Sequence, residues 1–327
     1  MKIFLDTVGC RLNQAEIEHL AGEFRAAGHL IVDTAHGADL VIINTCAVTA
    51  AAASDSRQKA RQAYRAGAAK ILLTGCLATL DPDLKEQLPG VYQLVNNQDK
   101  ARIPSLVLHS DQDFDLEPLA RVPLPGARKR TRAFIKVQDG CDNLCTFCVT
   151  RIARGKAVST PKDAVLRDIL SALAGGAQEV VLSGVHLGSW GSDLESGETL
   201  TDLVRFVLAN TDVKRLRLSS TEPWDLDERF FALWEDPRMC RHLHLPLQSG
   251  SATVLKRMLR HTTPQKFRDL VHQARMRIPG VAITTDIIVG FPGETEDDFA
   301  ESLRFVEEMN FADGHVFKYS ARPGTAA

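Results

Sequence analysis

The chain has 327 residues, 44% of them hydrophobic, with a formal net charge of −2. That is enough chain for two domains or one large α/β barrel, with apolar content for a sizeable core. The charge gives no sign of a general nucleic-acid-coating protein, and no apolar run reaches the roughly 18–20 residues that cross a bilayer, so a membrane span is excluded.

The N-terminal run meets Asp6 at once, without the long apolar core of a signal peptide. A cytoplasmic protein without membrane attachment is therefore expected. Residues 2–6 read as a strand, and residues 14–27 as a helix with Ile17, Leu20, Ala21 and Phe24 on one face. Residues 39–44 form a continuous apolar run of the buried parallel kind. An alanine-rich helix is expected over 50–66 and another buried strand over 70–74. A short helix is expected to start at Asp81-Pro82, with Asp81 as its cap. This β-α-β-α-β order predicts a small doubly wound parallel sheet.

Residues 117–131 hold three prolines and the basic run Arg128-Lys129-Arg130, which marks a linker. We place the boundary there, giving domains 1–120 and 121–327. Strands are then expected over 133–137, 179–183, 215–219, 241–245, 282–289 and 314–319. Helices start near Pro161, Leu200, Leu226, Ser251, Pro264 and Glu296. The fold class is thus α/β: a small doubly wound parallel-sheet domain followed by a partial (β/α)6, TIM-like barrel.

There are seven cysteines. An odd number in an apparently cytosolic chain argues for metal binding or catalysis rather than a disulfide framework. Cys141-x3-Cys145-x2-Cys148 follows the first expected barrel strand, at the strand end where barrel enzymes keep their chemistry. Three thiolates can hold three irons of a 4Fe–4S cubane and leave the fourth open to chelate S-adenosylmethionine (SAM). A structural zinc site would usually want a fourth ligand close by. Cys10 lies three residues past a strand end near Thr7, and Cys46 and Cys76 two past the strands ending at Asn44 and Thr74, so they converge on one sheet edge. They read as a second cluster with one open iron, or else as three small buried residues. Cys240 stands alone and reads as structural.

Several segments resemble the methylthiotransferase family of radical SAM enzymes. GCRLNQAE (9–16), NTCAVT (44–49) and TGC (74–76) are similar to its N-terminal domain. QDGCDNLCTFC (138–148) and SGVHLGSWGSD (183–193) are similar to its radical SAM core, as are LRLSSTEPWDL (216–226), HLPLQSGS (244–251), TTDIIVGFPGET (284–295) and VFKYSARPGT (316–325). The resemblance implies two 4Fe–4S clusters, with SAM cleaved at the Cys141/Cys145/Cys148 cluster and sulfur methylated at the Cys10/Cys46/Cys76 cluster. It makes 1–120 the methylthiotransferase domain and 121–327 the radical SAM core.

Three branches of the family modify threonylcarbamoyladenosine in tRNA, isopentenyladenosine in tRNA, or an aspartate of a ribosomal protein. GCRLNQAE, VHLGSWG and SSTEPWDL are most similar to the first. That implies addition of a methylthio group to carbon 2 of the adenine at tRNA position 37. The implied partners are a tRNA anticodon stem-loop, a reducing donor such as flavodoxin or ferredoxin, and a sulfur source. A non-catalytic iron–sulfur RNA-binding or redox-sensing protein is the alternative of another class.

Phe147 stands where the family keeps an aromatic near the adenine. Ser183, Gly184, Ser220, Glu222, Gln248, Asp286 and Gly290 lie at barrel strand ends and are candidates for SAM or substrate contact. Arg128, Lys129, Arg130, Arg151, Arg154 and Lys156 bracket the cluster loop and are candidate phosphate contacts. Lys256, Arg257, Arg260 and His261 form a second such strip. The chain departs from the family pattern at Arg151, Ile152, Thr160 and Lys318. It also ends soon after RPGT, where relatives continue into a TRAM domain, so that domain is expected to be absent.

Overall fold

The computed structural model describes residues 1–109 and 131–327. The expected 120/121 boundary and Arg128, Lys129 and Arg130 lie outside the described residues. The chain divides into two compact units. The first comprises Met1–Lys136, Val149–Gly155 and Asp163–Gln178, and the second Val137–Cys148, Lys156–Lys162 and Glu179–Ala327.

The first unit holds strands β1 (Lys2–Thr7), β2 (Leu30–Val32), β3 (Leu40–Thr45), β4 (Ile71–Gly75), β5 (Val91–Val95) and β6 (Arg132–Lys136). Its helices are α1 (Arg11–Ala26), α2 (Ala50–Arg65), α3 (Cys76–Leu80), α4 (Leu84–Gln87), α5 (Ile103–Leu108), α6 (Thr150–Arg154) and most of α7 (Lys162–Ala174). Five strands pair in the order β2-β1-β3-β4-β5, all parallel.

Every residue of β3 and β4 is buried, because both sheet faces are covered. Val41, Ile43, Ile71 and Leu73 pack against Ala53, Ala60 and Ala63 of α2 and Leu77 of α3. Leu40, Ile42 and Leu72 pack on the other face against Ile17, Leu20 and Phe24 of α1. Thr49 caps α2, its hydroxyl accepting from the Ala52 N–H at 3.1 Å. This is the expected doubly wound sheet.

The helix expected at Asp81 is displaced. Asp81 closes α3, and its carboxylate is taken by Arg57 at 3.0 Å and Gln87 at 3.2 Å instead of capping a new helix. The next helix, α4, starts at Leu84.

The second unit contains the ribbon β7 (Gln138–Asp139) and β8 (Val158–Ser159), then β9 (Glu179–Ser183), β10 (Leu216–Leu218), β11 (His242–His244), β12 (Ala282–Val289) and β13 (Asp313–Lys318). Its helices are α8 (Leu200–Asn210), α9 (Glu228–Phe231), α10 (Ala252–Arg257), α11 (Pro264–Arg277) and α12 (Glu296–Met309). β9 pairs with β10, and β11 with β12 and β12 with β13, all parallel. A bridge between Ser220 and His244 joins the two sets. Parallel strands in chain order, with helices between them, are the open-barrel pattern. Along β12, Ile283, Thr285 and Ile287 are buried, while Thr284, Asp286 and Ile288 stay partly open.

Thr295 and Asp298 form a reciprocal capping box at the start of α12. No helix is long and apolar enough to cross a membrane among the described residues.

Gly75 shows how tightly the first sheet edge is set. Its φ is +94°, and an added Cβ would collide with the Thr45 carbonyl oxygen. Gly75→Ala is expected to cost about 2–3 kcal/mol, seen as a lower urea midpoint at an unchanged denaturant slope.

Candidate functional site

Parallel register sets the first group of cysteines. Thr7 is opposite Asn44, and Thr45 is opposite Gly75, so β1, β3 and β4 end at one level. Cys10, Cys46 and Cys76 follow those ends. Gly9 has φ +97°, and a Cβ there would lie 2.6 Å from the Cys46 Cβ and 2.7 Å from its Sγ. The missing side chain is therefore the space the Cys46 thiol uses.

Cys76 is close enough to disfavour the thiolates of Cys10 and Cys46, and Cys10 that of Cys46. Burial pushes the Cys46 thiol up to about 11 and also raises Cys10, against the positive charge of Arg154, which favours both thiolates. Cys10 shows one side to solvent, while close packing on the other produces its shift. The Asn97 amide points at the Cys76 Sγ from 3.7 Å.

Beneath this edge lies a buried polar network. The Glu16 carboxylate accepts from Lys100 at 2.6 Å, Arg154 at 2.9 Å, Asn44 at 3.0 Å and Lys136 at 3.3 Å. Although burial alone would raise it, those cations hold Glu16 well below the usual carboxylate range. Arg154 was expected among the phosphate contacts. It is instead buried against Glu16 and Asn13, because α6 carries it inward. Arg151 and Lys156 are exposed, as phosphate contact requires.

The second group lies in the loop after β7. Gln138 is fully buried and spans that loop's base. Its amide N–H groups donate to the carbonyls of Asp139 at 2.7 Å and Gly140 at 2.8 Å, and its oxygen accepts from the His186 N–H at 2.8 Å. Gly184 sits over it, where a Cβ would be 2.9 Å from the Gln138 Oε1.

His186 bonds Asp225 at 2.8 Å and also Cys141. Burial disfavours its charged form, but these hydrogen bonds prevail and push the imidazole up to about 10. Arg260, expected in a phosphate strip, is buried too. Its guanidinium lies 3.7 Å from the Cys145 Sγ, pairs with Glu222 at 2.5 and 3.1 Å, and sits 4.6 Å over the Trp224 ring. Thr146 fixes the loop's far end, donating to the carbonyls of Arg257 at 2.9 Å and Met258 at 3.2 Å.

The remaining candidates are spread over this unit. Phe147 meets Phe291 edge-on, ring centroids 6.5 Å apart. Ser183 is buried and turns back toward its own strand, to the Val181 carbonyl. Ser220 bridges to His244. Gln248 has φ +71° and exchanges backbone bonds with Asp286 and Ile288. Asp286 accepts from His244 at 3.1 Å and His315 at 3.2 Å. The Gly290 N–H donates to Glu294.

Sequence reasoning gave no role to Asn13, Asn97, Gln138 or His186. Asn13, Gln138 and His186 fall within the quoted segments, whereas Asn97 lies outside all of them and 21 residues from Cys76.

Both donor sets suit iron–sulfur clusters: three thiols each, with N–H groups aimed at sulfur. Among the described residues no three His, Cys, Asp or Glu side chains close on a single ion's position. A cubane, which takes one thiolate per iron, does not require that.

Residues 2–96 match the model described as Uncharacterized protein family UPF0004, and residues 135–306 the Radical SAM superfamily. The Threonylcarbamoyladenosine tRNA methylthiotransferase MtaB of Bacillus subtilis (strain 168) is 37% identical over 98% of this chain and 74% of its own length. The protein of that name from Thermotoga maritima is 38% identical over 99% of this chain and 76% of its own. The tRNA-2-methylthio-N(6)-dimethylallyladenosine synthase of Clostridium tetani is 32% identical over 99% of this chain and 75% of its own. Among solved structures, the radical S-adenosylmethionine methyltransferase TsrM from Kitasatospora setae superposes with a TM-score of 0.70. It is 15% identical, covering 97% of this chain and 72% of that one, a likeness of fold alone.

The Arg260–Glu222 pair gives a test of this packing. Arg260's side chain is only 1% exposed, so Glu222→Ala leaves a buried cation without its carboxylate. A loss of about 3 kcal/mol is expected, measured by urea unfolding of the anaerobic, iron-free protein.

Proposed function

Because this chain belongs to the methylthiotransferase family of radical SAM proteins, we propose that it adds a methylthio group to carbon 2 of N6-threonylcarbamoyladenosine at tRNA position 37. It is a transferase of the radical SAM type, and its cofactors are SAM and 4Fe–4S clusters, two in the methylthiotransferases. What favours this substrate is the order of likeness. Three relatives named for threonylcarbamoyladenosine are 37–38% identical, against 32–36% for five named for dimethylallyladenosine.

On this reading Cys141, Cys145 and Cys148 hold the cluster that binds SAM, and Cys10, Cys46 and Cys76 hold the second. When bound, the first cluster would supply one-electron reduction of SAM, and the second would supply the sulfur. The protein's own part is to place and polarise. Gln138 fixes the loop that carries the first three thiolates. His186 and Arg260 direct N–H groups at Cys141 and Cys145, which stabilises negative charge on those sulfurs. Phe147, next to Cys148 in the chain, and Phe291 form an apolar contact suited to an adenine ring.

Ser183, Gly184, Ser220, Glu222, Gln248, Asp286 and Gly290 are assigned to the SAM and substrate surface of the second unit, Glu222 acting through Arg260. Arg151 and Lys156 are offered to the anticodon stem-loop phosphates. We assign residues 1–120 to the methylthiotransferase domain and 121–327 to the radical SAM core. The electron and sulfur sources are a flavodoxin- or ferredoxin-type donor and a separate sulfur supply.

The test is anaerobic reconstitution with dithionite and SAM, presenting tRNA that bears threonylcarbamoyladenosine or isopentenyladenosine in parallel. 5′-Deoxyadenosine and a methylthiolated nucleoside from the first tRNA are expected, both falling to background in Cys145→Ala. Methylthiolation of the second tRNA alone would move the protein to the other branch. A loaded cluster that leaves SAM intact would remove the enzyme reading altogether.

A further inference from the structure

The first unit contains two buried hydrogen-bonding clamps, and each joins two cysteine loops. Asn13, fully buried, is the first. Its amide donates to the Val8 carbonyl at 2.8 Å, just before Gly9-Cys10, and to the Thr45 carbonyl at 3.1 Å, just before Cys46. Its Oδ1 accepts from Arg154 at 2.7 Å and lies 3.7 Å from the Cys10 Sγ.

Thr45, also fully buried, is the second. Its hydroxyl donates to the Thr74 carbonyl at 2.5 Å and accepts from the Ala78 N–H at 3.2 Å. Those two groups flank Gly75-Cys76. One clamp therefore ties the Cys10 loop to the Cys46 loop, and the other ties the Cys46 loop to the Cys76 loop.

The orientation of Asn13 is itself fixed. An amide can present oxygen or nitrogen either way round, and here Arg154 decides it, because a guanidinium only donates. Arg154 is held in turn by the Glu16 carboxylate at 2.9 and 3.3 Å. Asn44 closes the ring, donating to the Asn13 carbonyl and to Glu16 at 3.0 Å each. Glu16 thus sets Arg154, Arg154 sets Asn13, and Asn13 sets two of the three thiol loops.

We propose that Asn13 and Thr45, oriented through Arg154 and Glu16, are the positioning residues that hold Cys10, Cys46 and Cys76 at the spacing one iron–sulfur cluster requires. The inference rests on the assignment of a cluster to these cysteines. A general structural role would not select the backbone carbonyls that immediately precede each cysteine loop. Arg154 adds a positive charge beside the thiolates, which favours an electron-rich cluster.

The experiment uses the full chain with Cys141, Cys145 and Cys148 changed to Ala, so that all bound iron reports the other three cysteines. Anaerobic reconstitution is followed by iron and sulfide analysis, electron paramagnetic resonance of the reduced protein, and the rate of iron loss to a chelator. The parent should take up one cluster and lose it when Cys10, Cys46 and Cys76 are also replaced. A parent that takes up none, or a cysteine-free variant that keeps its iron, refutes the cluster assignment and the inference with it.

Asn13→Ala is expected to retain less than half of the parent's iron, or to release it at least tenfold faster. Thr45→Val, which keeps side-chain shape while removing the hydroxyl, is expected to do the same. It carries the test if Asn13→Ala does not reproduce the parent's circular dichroism. Arg154→Gln should retain more iron than Asn13→Ala but shift the cluster's reduction potential to more negative values. If both clamp variants fold and bind iron with the parent's amount, spectrum and release rate, while the cysteine-free variant binds none, the clamps have no positioning role.

Discussion

Everything in the first unit follows from one constraint: parallel strands all finish on the same edge. None of β1, β3 and β4 contains a cysteine; β3 and β4 are buried throughout, and β1 buries Ile3 and Leu5. Their register nevertheless delivers three cysteines, far apart in the chain, to one line. The glycines before Cys10 and Cys76 are part of the same constraint. Strand, turn and thiol have to fit within two residues, and a Cβ at Gly9 would take the space of the Cys46 thiol.

Around both sets of thiols the surroundings work in two opposed directions. Burial disfavours thiolates, as the raised Cys10, Cys46 and Cys145 show. Donors aimed at sulfur oppose it: Asn97 toward Cys76, His186 toward Cys141 and Arg260 toward Cys145. Each charged donor is expensive to bury alone. Each is accordingly backed by a carboxylate: Asp225 behind His186, Glu222 behind Arg260 and Glu16 behind Arg154. These buried acids therefore act on the sulfur chemistry only at second hand, through the cations they hold.

The sequence made the elements legible where hydrophobic pattern and length agree. Strands 179–183 and 282–289 were bounded correctly, the first by its apolar centre Val180–Leu182 and the second by eight residues with apolar stretches at both ends. β2 escaped because three residues carry little pattern, and β5 because its centre is mixed and only its two ends are buried. Asp81 misled because a carboxylate before a proline looks like a cap wherever it occurs, and its real partner, Arg57, is distant in sequence. The cysteines were readable as a site, since spacing and strand ends are local features. Arg154 and Arg260 were not. A basic residue near a cluster loop looks the same whether it meets solvent or a buried acid, and Glu16 and Glu222 lie 138 and 38 residues away.

The contrast in sequence distance between the two cysteine sets has a consequence for biosynthesis. Cys141, Cys145 and Cys148 fall within eight residues, so an unfolded chain can bring them together at little entropic cost. Metal held there already binds the unfolded state, which cancels part of its stabilising effect. Cys10, Cys46 and Cys76 are separated by 36 and 30 residues (10 to 46, 46 to 76) and meet only after β1, β3 and β4 have paired. Under the proposed ligand assignment, iron at that edge rewards the finished sheet alone, and its binding energy counts as folding energy. Iron starvation during synthesis would then weaken the two units unequally, the N-terminal sheet more than the barrel strands.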